Sequence, residues 1–294
     1  MKFSRIVFFL ALASLSAIYA RITQLLYLTE EKTGFFLPDN KTVAIALSAF
    51  IMVVICAAAI MTCFTRRNPA GAPDKSLLSR IGAAVLAVAC LYEAIFVNYL
   101  SGATMVILLT RLSAVAASAA LALYVARFYV PAAQKLHKLF YLPILVFFVM
   151  KLICTFTVYA TVSVIADNVF HIAFMCFALI FMLTLLKLEN GIMFGRSAYR
   201  LFPLAAITFI LGTCCSIPQA VLLVLGKSAL VHIETDSLLL PAATAFFAMS
   251  YTLALYGKKN IVRRKRNTPK LESNTSYHEM SGQFVSGGGK HRKK

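Results

Sequence analysis

Residues 92–112 read YEAIFVNYLSGATMVILLTRL. Glu93 and Arg111 are the only charges in this run, and each lies nine residues from Gly102, so a reversal near Ser101-Gly102 would bring the two side chains to one level. The apolar stretches on either side continue long enough to cross the roughly 30 Å of bilayer hydrocarbon. The segment therefore reads as a membrane hairpin closed by a buried ion pair between Glu93 and Arg111.

The rest of the chain extends the pattern. Of its 294 residues 60% are hydrophobic, with a mean hydropathy of +0.80. An ordinary soluble domain holds about 45–50% apolar residues, so a soluble core could not hide this share. Eight apolar segments stand out, at 5–28, 42–64, 80–100, 103–127, 139–161, 164–187, 201–225 and 238–257. The expected fold is an all-α, polytopic transmembrane helix bundle occupying residues 1–257.

Lys and Arg orient it. One set of connections carries Arg66, Arg67, Lys75, Arg127, Lys135, Lys138, Lys187, Arg196 and Arg200, and Lys2, Arg5 and the run KKNIVRRKR fall on the same side. The other set carries few basic residues, among them Lys32, Lys41 and Lys227. The positive-inside rule then places both termini in the cytoplasm of a multi-pass cell-membrane (plasma-membrane) protein. Residues 1–20 also resemble a secretory signal, but ARITQLLYL prolongs the apolar pattern past the small residues where cleavage would fall.

Residues 258–294 are different material. They hold eleven Lys and Arg against Glu272 and Glu279, a net +9 of the chain's +18, with Gly287-Gly288-Gly289 and no apolar period. A disordered basic cytoplasmic tail is expected, drawn to anionic lipid headgroups at about 1 kcal/mol per basic residue. Nucleic acid is not the expected partner.

Motifs of catalysis are missing: HExxH, GxSxG, a P-loop and paired membrane carboxylates are absent. The seven cysteines fall inside the apolar segments without metal-site spacing, so no disulfide framework, metal or cofactor is expected. The chain does not read as an enzyme.

What remains is a layer of polar residues at one depth in the outer half of the bundle. Besides Glu93 and Arg111 it contains Arg21, Lys151, His171 and Gln219, each lying about seven to ten residues from the outer end of its segment. Each continues a stripe of small or polar residues at helical spacing, such as Thr208, Cys215 and Gln219, and such faces turn toward protein or water. Pro218, beside Gln219, frees a backbone carbonyl in mid-helix.

A lone charge near the bilayer centre costs about 2.5–3.5 kcal/mol on insertion scales, which makes such residues functional candidates by default. Arg21, Arg111 and Lys151 outnumber Glu93, and Asp167 at the edge of the layer brings it at best near balance. This supports two readings. Arg111, Lys151, Gln219, His171 and Arg21 bind or carry a small anionic or carboxylate-bearing ligand; or the charges serve folding and docking in a membrane partner subunit, scaffold or sensor. Lys151 separates them, since a site needs it to face a ligand space and a scaffold needs it paired with Asp167 or Glu93. Arg21 has its own alternative, snorkelling outward as an anchor.

Overall fold

In a computed structural model of the chain, residues 3–30, 34–64, 76–96, 104–127, 141–159, 166–190, 200–227, 230 and 238–257 are described. Hydrocarbon offers no partner for a backbone N–H or C=O, so an apolar chain satisfies them internally as helix. Among the described residues eight helices result: α1 (Phe3–Tyr27), α2 (Lys41–Cys63), α3 (Leu77–Phe96), α4 (Thr104–Ala126), α5 (Tyr141–Tyr159), α6 (Ala166–Glu189), α7 (Leu201–Val224) and α8 (Leu239–Gly257). A 3-10 turn at Pro38–Asn40 and an isolated bridge between Thr29 and Phe36 are the other regular features among the described residues.

Seven of the helices are long and apolar enough to cross a membrane. The exception is α5, whose apolar part, Leu142–Thr157, falls in a shorter class. The tip of the 92–112 hairpin and the basic tail lie outside the described residues.

Six helices close a ring: α3 packs on α4, α4 on α5, α5 on α6, α6 on α7, α7 on α8, and α8 back on α3. Helices α1 and α2 pack on each other and both lie against α7. Small residues make the close approaches. A Cβ on Gly212 of α7 would fall 2.8 Å from the Pro241 carbonyl oxygen of α8 and 3.0 Å from the Phe174 ring of α6. One on Gly82 of α3 would meet the Ser250 hydroxyl and sit 3.2 Å from the Phe247 Cα of α8. Small residues at interfaces are how helices pack in lipid, where apolar side chains alone supply no preference for one another.

Aromatic contacts fix the end of the bundle that holds the start of α1 and the end of α8, the terminal end. Phe202 stacks on Tyr256 at 5.1 Å between centroids and meets Phe3 at 6.1 Å. The predicted segments thus agree with the helices, each displaced by a few residues at its ends.

Candidate functional site

The helices of the ring are tied by polar contacts at two levels, and at each level the contact joins helices that are not neighbours. Toward the end opposite the terminal one, Lys151 of α5 donates from Nζ to Glu93 Oε1 of α3, joining the two helices that flank α4. Both residues are almost fully buried, at 3% and 1% exposure. Toward the terminal end, Arg127, just past α4, donates to Glu189 Oε2 at 3.4 Å, and Tyr251 of α8 donates to Glu189 Oε1 at 2.7 Å. The Arg127 guanidinium also lies 4.3 Å from the Tyr124 ring centroid, and the Tyr124 hydroxyl meets Ser79 Oγ at 3.1 Å.

Of the two partners expected for Lys151, Glu93 receives it, and that pairing is the one the scaffold reading calls for. Asp167 belongs to α6, but its side chain lies outside the described residues. Arg111 is half-buried on α4. The Arg127–Glu189–Tyr251 link has no counterpart among the residues singled out from sequence, where Arg127 only marks a basic connection. Its one signal there is Glu189, an acid at the end of an apolar segment on the side otherwise rich in Lys and Arg.

Arg21 is buried to 2% exposure and turned into the bundle. Its Nη1 donates to Gln24 Oε1, its guanidinium lies 4.7 Å from the Phe170 ring centroid of α6, and Cys214 and Cys215 of α7 are close enough to feel its charge. Gln24 continues the chain, donating from Nε2 to the Ala44 carbonyl and to Ser48 Oγ of α2, each at 2.8 Å. Snorkelling outward is thereby excluded. The residue ties α1 and α2 to α6 and α7.

His171 is 2% exposed, 6.2 Å from the Phe174 ring, and near enough to Lys151 to feel that charge. Eighteen residues, five full turns, separate His171 from Glu189, so both lie on the α6 face that looks across the ring. At seven residues, about two turns, Thr244 of α8 shares the face of Tyr251, and Gln219 of α7 shares that of Gly212.

Four side-chain oxygens near these faces, Asn168 Oδ1, Gln219 Oε1, Thr244 Oγ1 and Thr208 Oγ1, are buried and have no hydrogen-bond partner among the described residues. A buried polar atom left without a partner costs about 1–3 kcal/mol. The four lie on three neighbouring helices, α6, α7 and α8. Gly212 meets Phe174, and Gln219 lies seven residues beyond Gly212 while Asn168 lies six beyond Phe174 in the same direction, so at 1.5 Å per residue the two residues lie at nearly one level, about 9–10.5 Å away. Thr244, between Pro241 and Ala245, is level with Gly212, and Thr208 is one turn nearer the terminal end. Counted along the helices, the four residues run from the level of Asn168 and Gln219 through Thr244 to Thr208.

Pro218 sits inside α7 and has no N–H for the Cys214 carbonyl. None of the seven cysteines is in a disulfide, and no group of His, Cys, Asp and Glu among the described residues could hold a metal ion. No family model, curated protein or solved structure matches the chain.

Proposed function

We propose that this protein is a multi-pass protein of the cell membrane that binds a small carboxylate-bearing or otherwise anionic ligand within its helical ring and carries it across the bilayer. One observation supports the reading above the rest. The Asn168, Gln219, Thr244 and Thr208 oxygens are buried without hydrogen-bond partners among the described residues on α6, α7 and α8, the helices that follow α5, with its buried Lys151, around the ring. A bundle stabilised only as a scaffold gains nothing by leaving such atoms buried and unanswered. In this reading Lys151, shared with Glu93, and Arg111 supply counter-charge. Gln219 and His171 give neutral contacts, and Arg21 holds the flanking helices. The chain is not assigned catalysis.

The topology that goes with it has eight crossings, α5 included, and both termini in the cytoplasm. The tail after Gly257 then lies against anionic headgroups. Cysteines placed at Asp39 and at Asn190 of a cysteine-free variant test the orientation. The first is expected to react with a membrane-impermeant maleimide in intact cells and the second only after lysis. Labelling of position 190 from outside would reverse the map.

The Lys151–Glu93 contact favours a second reading, that of a partner subunit, scaffold or sensor in which buried charges serve assembly. Uptake by proteoliposomes separates the two. Radiolabelled lactate is expected to accumulate with the parent protein, and to fall to the level of empty vesicles with a Glu93→Leu, Lys151→Met double variant that keeps its fold. Equal uptake by parent and empty vesicles, across a panel of small carboxylates, would leave the scaffold.

A further inference from the structure

We infer that the ligand is a carboxylate whose body carries hydrogen-bond donors, a hydroxy or amino acid, and that Gln219 and Asn168 read those donors. The inference rests on the carboxylate reading above and narrows it. Cations of the layer attract a negative head, but they place no demand on the body attached to it. Gln219 and Asn168 do, because both are more than nine-tenths buried, at 2% and 5% exposure, share a level on α7 and α6, and present carbonyl oxygens without partners.

A carboxylate offers acceptors alone. Set beside the Lys151–Glu93 pair it would share the ammonium with Glu93 and leave Gln219 Oε1 and Asn168 Oδ1 confronting further oxygens or bare hydrocarbon. A ligand O–H or N–H next to the carboxylate answers them, and a site built to receive such groups rejects an analogue lacking them, since its own polar atoms are then left buried and unpaired. Thr244 Oγ1, level with Gly212 and therefore about two turns deeper, is placed to meet a longer body, as a hydroxyl that both gives and accepts. The geometry selects by donors carried on the chain and not by charge alone. Acetate-like or fatty carboxylates would be poor ligands.

A matched series tests this on the purified full-length protein. Propionate, lactate and glycerate carry the same head and no, one and two hydroxyl donors, and glycerol carries donors without the head. Melting temperature measured against concentration is expected to show half-saturation for glycerate at least tenfold below that for propionate, with lactate between and glycerol inert. A Gln219→Leu, Asn168→Leu variant is expected to melt no lower than the parent in the absence of ligand, because it removes orphaned acceptors from an apolar core. In that variant glycerate should fall to the level of propionate. If propionate matches glycerate on the parent protein, the donor-reading inference fails and the carboxylate reading stands. If glycerol matches glycerate, the carboxylate reading fails. If none of the four shifts the melting temperature, both fall, and the parent series alone decides even where the variant does not fold.

Discussion

Glu93→Gln is expected to destabilise the protein by about 3–5 kcal/mol, and Lys151→Met by a similar amount. Each removes one partner of a contact buried to a few per cent exposure and strands the other charge where little water reaches it. Removing both charges together is a different experiment. A buried ion pair repays its desolvation only in part, and replacing it with apolar side chains of like volume is often neutral or stabilising. Glu93→Leu with Lys151→Met is therefore expected to melt near the parent while each single variant melts well below it. Arg111 adds a third arm: the swap Glu93→Arg with Arg111→Glu recovers part of the single-variant loss if Arg111 shares the carboxylate. The measurement is melting in detergent monitored by intrinsic fluorescence, and single variants as stable as the parent would refute the pair.

The second large effect belongs to Glu189. It alone joins α4, α6 and α8 near the terminal end among the described residues, accepting from Arg127 and from Tyr251 with one oxygen each. Glu189→Ala removes both hydrogen bonds and leaves the Arg127 guanidinium, 7% exposed, with its stacking on Tyr124. Loss of about 3 kcal/mol or more is expected, since hydrogen bonds to charged groups contribute about 1.5–3 kcal/mol each. Tyr251→Phe deletes one of them and leaves the ion pair, so its cost is expected at about half. A Glu189→Ala protein that melts with the parent, or a Tyr251→Phe that costs as much as Glu189→Ala, would show that the link is incidental.

Depth is legible in the sequence and partnership is not. Counting from the ends of the apolar segments places Glu93, Lys151, His171 and Gln219 in one layer, because helical rise converts residue number directly into distance along the bundle. Which residue faces which depends on the order of helices around the ring, and no local pattern encodes that order. Proximity in sequence favours Arg111 for Glu93. Closure of the ring sets α3 and α5 on either side of α4 and brings Lys151 to Glu93. Glu189 escapes notice in the sequence because a charge at a helix end is ordinary; only its burial against Arg127 and Tyr251 sets it apart. The direction of Arg21 is encoded after all, since side chains lean toward the start of their own helix. That lean carries it away from the Tyr27 end of α1 and in toward Cys214, Cys215 and Phe170.

The reach of Lys151 past α4 also bears on how the chain enters the membrane during synthesis. In the proposed topology α5 is the weakest crossing, a short apolar stretch with an ammonium near its middle, and a central lysine costs about 2.5–3.5 kcal/mol on insertion. The residue that relieves this cost lies in α3, made 58 residues earlier. Helix α5 is then a client of α3. It would linger at the translocon until Glu93 is beside it, and nascent chains cut after α5 would integrate that helix when Glu93 is present and let it slip through when Glu93 is replaced.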